Sequence, residues 1–137
     1  MRATVLVAGA ASGVPLLLGE PLSFWGGFEA ATGRVSDRWH PDHGAVLTGR
    51  VLMMEAGRGS SSGASVLAEA IRLGTAPAAI LLRRRDAILA TGALVAAELY
   101  GRAMPLLVVE RDADWAACAA AASLTIGPDG DIAAAGR

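Results

Sequence analysis

One stretch, residues 57–74, restricts the local structure more than any other part of the chain. It opens with the run Gly57-Arg58-Gly59-Ser60-Ser61-Ser62-Gly63. An apolar pattern at helical spacing follows and stops at Gly74, and glycine is a common residue just after a helix. Ser60 or Ser61 is predicted to cap this helix. Residues 46–54 are rich in apolar residues and predict a strand. The unit is therefore a strand, a Gly/Ser loop and a helix.

A loop of this kind has two interpretations that the residues alone leave open. Backbone N–H groups and small hydroxyls at the start of a helix suit an anionic group, and Arg58 adds a guanidinium that pairs well with a carboxylate or phosphate. Alternatively, the hydroxyls only satisfy backbone groups around a capped helix. The loop is not a Walker loop, since no Gly-Lys-Ser/Thr follows, and it lacks the Gly-x-Gly-x-x-Gly spacing of dinucleotide sites.

The alternation of strands and helices around this unit predicts an α/β fold. Strands are expected at residues 4–7, 14–18, 34–37, 78–82 and 106–109, and helices at residues 87–100 and 112–120. Residues 123–126 and 132–134 flank Gly127-Pro128-Asp129-Gly130 and predict a closing hairpin. Neighbouring parallel strands joined by helical crossovers follow from this order. We expect one domain over residues 1–137, with a mixed β sheet or a partly closed barrel flanked by helices.

Composition limits the partners of the chain. The formal net charge is −1, and because no basic residues cluster on a helix, nucleic-acid binding is not expected. Arg83, Arg84 and Arg85 precede Asp86 directly, which we interpret as a solvated turn. Cys118 is the single cysteine, so it forms no internal disulfide and is predicted to be a small buried apolar residue.

Membrane insertion is not expected either. The longest apolar stretch, residues 3–18, is interrupted by glycines and a proline, and it falls short of the about 20 apolar residues that span a bilayer. Arg2 followed by that stretch imitates a signal peptide only weakly. The high share of hydrophobic residues, 53%, is also explained if a partner covers part of the surface.

Two further loops hold residues that a simple surface turn does not require. Phe24 and Trp25 are followed at once by Gly26 and Gly27. Such aromatics either close the end of the core or form a pocket wall or an interface. The second loop contains both histidines, His40 and His43, with Asp42 between them. Two histidines and an aspartate are possible metal ligands, but Pro41 prevents a helix that would align the rings, so a histidine paired with a carboxylate is the favoured interpretation and no metal site is assigned.

Five motifs in register make the chain resemble the swivel domain of aconitase X. They are Glu20-Pro21-Leu22-Ser23-Phe24-Trp25-Gly26-Gly27, Thr32-Gly33-Arg34, His40-Pro41-Asp42-His43-Gly44, Arg58-Gly59-Ser60-Ser61-Ser62-Gly63 and Gly74-Thr75-Ala76-Pro77-Ala78-Ala79-Ile80. The resemblance covers residues 20–109. In this family the swivel domain is either fused to a large catalytic domain or made as a separate small subunit, and this chain looks like the separate form.

The resemblance implies a hydro-lyase subunit that is active only with a large partner. It implies an iron or iron–sulfur centre on the large subunit, none bound by this chain alone, and a small carboxylate substrate handled in the cytoplasm. The family acts on cis-3-hydroxy-L-proline in bacteria and on mevalonate 5-phosphate in archaea, and the His-Pro-x-His-Gly and Phe-Trp-Gly-Gly forms look more like the bacterial branch. A non-catalytic module that binds a small anion remains the alternative from a different class.

The same resemblance suggests roles for individual residues. In aconitase relatives the base is the first serine of a Gly-Ser-Ser turn, which corresponds to Ser60 here. Ser61 and Ser62, together with Gly59 and Arg58, are then expected to bind the substrate carboxylate, to cap the helix or to steady an alkoxide. Phe24, Trp25, Gly26, Gly27, His40 and His43 are expected at the partner interface or in a pocket wall.

Overall fold

A computed structural model of the chain describes residues 1–136. The structure contains ten strands and four helices in these residues. The strands are β1 (Thr4–Val7), β2 (Ala11–Gly13), β3 (Pro15–Leu17), β4 (Phe28–Glu29), β5 (Arg34–Val35), β6 (Val51–Met53), β7 (Ala79–Leu82), β8 (Leu106–Val108), β9 (Ser123–Ile126) and β10 (Ile132–Ala135), and the helices are α1 (Phe24–Gly27), α2 (Gly63–Leu73), α3 (Ala87–Tyr100) and α4 (Asp112–Ala120). None of these helices has the length and apolar character needed to cross a bilayer.

A five-stranded mixed sheet forms the centre, in the order β1-β8-β7-β6-β3. β3, β6, β7 and β8 run parallel, and β1 lies antiparallel against β8. A second sheet, β10-β9-β2, and the short pair β4-β5 complete the strands. The prediction of a mixed α/β sheet is confirmed. Over residues 1–136 the sheet stays open and does not close into a barrel.

The two faces of the central sheet carry separate apolar clusters. Leu52 and Ile80 belong to the cluster under α2 and α3, whereas their neighbours Val51 and Leu81 belong to the cluster that includes Cys118 and the β9-β10 hairpin. Successive side chains of a strand point to opposite faces, so strands covered on both faces are apolar at every position. This explains why β6, β7 and β8 are buried throughout.

The predicted helices α3 and α4 and the closing hairpin are confirmed, whereas three local predictions need correction. The strand predicted at residues 46–54 is limited to Val51–Met53, because the chain turns before it and Gly49 adopts a φ of +73°. Neither Ser60 nor Ser61 is the helix cap, since α2 begins at Gly63 and Ser62 occupies the N-cap without a side-chain cap hydrogen bond.

The third correction is the missed strand β2, which pairs antiparallel with β9. Its residues, Ala-Ser-Gly, have low strand propensity, so only the tertiary pairing reveals it. The predicted end of α2 is confirmed, because Gly74 is left-handed with a φ of +78° and its N–H donates to the carbonyls of Ala70 and Ile71. The domain prediction extends to residue 137, which lies outside the described residues.

Candidate functional site

The candidate site lies at the carboxyl edge of the parallel strands. The loops that leave β3, β6 and β7 at this edge carry Glu20, the Gly/Ser loop (residues 57–62) and Asp86. Because parallel strands end on the same side, residues that are 29 and 38 positions apart in sequence meet here. In open α/β sheets this edge is the usual place for a ligand.

The Gly/Ser loop is fixed to its surroundings by two backbone N–H groups. The N–H of Gly57 donates to Oδ2 of Asp86 at 3.0 Å, and the N–H of Arg58 donates to the carbonyl of Leu22 at 3.2 Å. Gly59 has a φ of +96°, and a Cβ atom there would lie 2.7 Å from Oγ of Ser23. Glycine at this position therefore serves both the turn and the close approach of the neighbouring loop.

The three serines lie on the surface at the entrance to α2. Ser60, Ser61 and Ser62 are all exposed. Oγ of Ser60 accepts a hydrogen bond from the N–H of Ser62 at 3.1 Å, and the carbonyl of Ser60 accepts one from the N–H of Gly63 at 3.0 Å. An N–H directed at the Ser60 oxygen, next to the positive end of a helix, favours the charged form of that hydroxyl.

Ser60 and Asp86 line the same small cavity, whose volume is about 50 Å³. Leu22, Phe24, Ile88 and Leu89 form its apolar wall, and Gly57, Arg58, Gly59 and Gly63 contribute the rest of the lining. The cavity is too small for a whole substrate. It is suited to a single functional group, with the remainder of any ligand lying outside the chain.

Charged groups surround this cavity in pairs. Nη1 of Arg58 lies 3.3 Å from Oε1 of Glu20, and Nη1 of Arg84 lies 3.2 Å from Oε1 of Glu55. Both pairs are exposed, so each contributes little to stability and opens readily for a charged ligand. Glu20, Glu55, Arg83 and Arg84 line a wider groove of about 460 Å³ together with Trp115. The sequence-based interpretation of the arginines as a solvated turn missed this groove.

The first aromatic loop divides into a buried part and an exposed part. Phe24 is 2% exposed and packs against Phe28, with ring centroids 4.9 Å apart, whereas Trp25 is 56% exposed. Gly26 has a φ of +80° with open space around it, and Gly27 is buried. Phe24 is therefore a wall of the cavity and part of the core, and the surface available to a partner is that of Trp25.

The histidine loop divides in the same way. His40 is 3% exposed, its Nε2 lies 2.9 Å from the carbonyl of Glu20, and its Nδ1 accepts from the N–H of Asp42 at 3.0 Å. His40 therefore holds the loop of Glu20 in place and is not available at the surface, which corrects the interface prediction for this residue. His43 is exposed, and the sequence analysis gave no role to Trp39, which is 91% exposed.

Within residues 1–136, potential metal ligands are not grouped. Among residues 1–136 no cluster of three His, Cys, Asp or Glu side chains has a geometry that holds a metal ion. Cys118 is buried on the other face of the sheet, where burial raises the pKa of its thiol, and Asp114 adds to that shift. The residues described by the structure therefore do not provide a site for an iron or iron–sulfur centre.

Comparison with known proteins agrees with this architecture. The family model of the aconitase X swivel domain matches residues 1–134, and the chain belongs to that family. The fold also matches the crystal structure of Thermococcus kodakaraensis aconitase X in its holo-form, with a TM-score of 0.82 and 25% identity over 98% of this chain and 97% of that one.

Two curated relatives differ in how much of their length the chain covers. Over 101 residues it is 55% identical to the cis-3-hydroxy-L-proline dehydratase of Pseudomonas aeruginosa, a match that spans 74% of this chain and 17% of that protein. Over 119 residues it is 40% identical to the phosphomevalonate dehydratase small subunit of Methanothermobacter thermautotrophicus, which covers 80% of this chain and 91% of that subunit. The chain thus corresponds to about a sixth of the first relative and to nearly all of the second.

Sequence reasoning gave no site role to Asp86, Ser23 or Glu20. Asp86 stands directly before the predicted helix of residues 87–100, and an aspartate there is a common N-cap, so the sequence held a signal for its position. The contact of its second oxygen with Gly57 depends on the pairing of β6 with β7 and has no local signal.

Proposed function

We propose that this chain is the swivel subunit, one domain over residues 1–137, of an aconitase X-type dehydratase acting on cis-3-hydroxy-L-proline in the cytoplasm. The observation that carries the proposal is the exposed Ser60 hydroxyl at the entrance to α2, which accepts an N–H and borders a cavity. The 55% identity to the Pseudomonas aeruginosa enzyme supports this substrate.

In the proposed reaction, Ser60 removes the proton next to the substrate carboxylate. A serine hydroxyl is a weak base in water, so it acts only when its alkoxide is stabilised. The N–H of Ser62, the positive end of α2 and the nearby guanidinium of Arg58 act in that direction. Loss of hydroxide from the adjacent carbon then gives an enamine, which tautomerises to Δ1-pyrroline-2-carboxylate.

The other residues of the loop are assigned to binding. Arg58 pairs with Glu20 at the surface and is able to exchange that partner for the substrate carboxylate. Ser61 and Ser62 offer hydroxyls beside it, and Gly59 lets the backbone approach the ligand closely.

The proposal includes a large partner subunit that carries an iron or iron–sulfur centre. Such a centre, held by the partner, would supply a Lewis acid for the departing hydroxyl group. The exposed parts of the predicted interface are Trp25, His43 and Gly26, which has open space beside it. Exposed tryptophans are frequent anchors of protein interfaces, so Trp39 joins this surface.

Mevalonate 5-phosphate is the second candidate substrate. The groove lined by Arg83 and Arg84 provides cationic groups beyond Arg58, as a phosphate requires. The match to 91% of the phosphomevalonate dehydratase small subunit also favours it. However, the guanidiniums of Arg58, Arg83 and Arg84 each pair with a carboxylate in this structure. These carboxylates offset the positive charge that would attract a phosphate.

The test is reconstitution with the large subunit and a direct assay of both substrates. We expect turnover of cis-3-hydroxy-L-proline by the complex, little turnover of mevalonate 5-phosphate, and none by this chain alone. Faster turnover of the phosphate substrate would replace the first candidate by the second. Binding of a small carboxylate by the isolated chain, with no turnover by the complex, would identify a non-catalytic anion-binding module instead.

A further inference from the structure

We infer that Asp86 is a positioning residue that sets the Gly/Ser loop, and with it Ser60, relative to helix α3. The inference rests on the proposed function for its catalytic consequence, because it concerns the geometry of the proposed base. Its structural basis is independent of the substrate.

The carboxylate of Asp86 serves two elements with separate oxygens. Oδ1 accepts from the N–H groups of Ile88 and Leu89, both at 3.0 Å, and so caps α3. Oδ2 accepts from the N–H of Gly57 at 3.0 Å. A carboxylate has two oxygens with about four acceptor sites, so this side chain satisfies all three donors. A hydroxyl or an amide offers one oxygen and can satisfy only one of the two elements.

The loop has no room to move toward α3 at this point. A Cβ atom on Gly57 would clash with Oδ2 of Asp86 and lie 3.2 Å from Cδ1 of Leu89. The backbone of residue 57 thus lies directly against the carboxylate. Three residues later the chain reaches Ser60, so a displacement at Gly57 is carried into the position of the proposed base.

The proposed carboxylate-binding side of the loop is held by different groups. The N–H of Arg58 donates to the carbonyl of Leu22, and its guanidinium pairs with Glu20. Loss of the Asp86 contact therefore leaves the Arg58 guanidinium on Glu20, whereas the loop backbone that leads to Ser60 loses one of its two N–H anchors. This difference separates the positioning role from a general loss of structure, because kcat is expected to fall while KM changes little.

The test compares three substitutions at position 86. Asp86→Asn keeps one oxygen for the α3 cap but places an NH₂ group against the N–H of Gly57. Asp86→Ser likewise keeps a cap, since serine is a common N-cap residue, and is too short to reach the loop. Asp86→Ala removes both contacts. The reconstituted complex is assayed with cis-3-hydroxy-L-proline, and amide exchange at Gly57 and Leu89 is followed by NMR on the full chain.

We expect Asp86→Asn and Asp86→Ser to lower kcat by about 10- to 100-fold, with KM within about threefold, because ångström-scale misplacement of a reacting group has effects of this order. In both variants the Gly57 amide exchanges faster while the Leu89 amide stays protected, whereas Asp86→Ala loses protection at both. Gly57→Ala is expected to reproduce the kcat loss. Gly127→Ala is the matched control, because its Cβ meets nothing closer than 3.9 Å and it lies in the distant β9-β10 hairpin.

Two results would overturn the inference. One is an Asp86→Asn complex whose kcat stays within about twofold of the wild type. The other is an Asp86 variant in which the Gly57 amide exchanges at the wild-type rate and activity falls only in proportion to the fraction of folded protein. If the wild-type complex turns over neither substrate, the proposed function fails. The Gly57 exchange rates then still decide whether Asp86 holds the loop.

Discussion

Gly92 lies at a close approach of helices α2 and α3, and whether its substitution raises or lowers the free energy of unfolding tests that contact. A Cβ atom on Gly92 would lie 2.6 Å from the carbonyl oxygen of Ala64, and 3.2 and 3.3 Å from its Cα and carbonyl carbon. All three are backbone atoms of the first turn of α2. Ordinary contact begins at 3.4 Å, so the helices must separate by about 0.8 Å at this point.

Gly92→Ala brings two opposing effects on the free energy of unfolding. Alanine gains about 1 kcal/mol over glycine within a helix. Overpacking of a close contact costs about 1–3 kcal/mol, and backbone atoms give way less easily than a side-chain tip. We expect a net loss of about 1–2 kcal/mol, measured by urea unfolding of the chain.

Activity adds a second measurement for the same variant. Ala64 follows Gly63 at the start of α2, so its displacement shifts the serines, and the kcat of the complex is expected to fall with stability. Thr91→Ala is the control, because Thr91 is exposed on the adjacent position of the same helix and its hydroxyl donates only to Ala87 one turn earlier. A Gly92→Ala chain that gains about 1 kcal/mol would refute the close helix contact, since only the helix propensity would then remain.

The buried thiol and the two adjacent aromatics give further predictions. Burial raises the pKa of the Cys118 thiol, so the contribution of the neutral thiol to stability is full below the unfolded thiol's pKa of about 8.5 and is lost as the pH rises through the folded value. The free energy of unfolding should therefore fall more steeply above pH 9 in the wild type than in Cys118→Ala. Parallel pH curves of the two proteins would contradict this. Phe24→Ala should destabilise the chain by about 3–5 kcal/mol because its ring is buried against Phe28. Trp25→Ala should change stability by less than about 0.5 kcal/mol and weaken binding of the large subunit in calorimetry; unchanged binding would remove Trp25 from the interface.

Sequence reasoning predicts the elements whose signals are local. Helix α3 is found with its bounds because Gly101 stops it and apolar residues repeat at helical spacing, and the hairpin is found because Gly127-Pro128-Asp129-Gly130 is a strong turn signal. The mixed sheet follows from the alternation of strands and helices. Strand β2 was missed because its pairing with β9 depends on residues more than 100 positions away.

The candidate site shows the same division. The Gly/Ser loop is visible in the sequence because its composition is unusual. The sequence does not show which aromatic or which histidine of each loop is buried. Phe24 and His40 face the core whereas Trp25 and His43 face solvent, and this depends on how each loop packs. The hydrogen bond from the N–H of Gly57 to Asp86 cannot be predicted from the sequence either, because it forms only once β6 and β7 lie side by side.

The steady-state turnover of the Ser60→Ala complex decides whether Ser60 is the base. Ser60 is exposed and its hydroxyl oxygen accepts a single hydrogen bond from the N–H of Ser62 among the described residues, so the variant chain should fold and assemble as the wild type does. Ser61→Ala is the comparison, because Ser61 is also exposed and its hydroxyl is assigned to substrate binding, so its loss acts on KM rather than on kcat. If Ser60 is the base, its loss lowers kcat by at least about 100-fold, whereas Ser61→Ala retains most of it. A Ser60→Ala complex that keeps kcat within about threefold of the wild type would contradict the assignment.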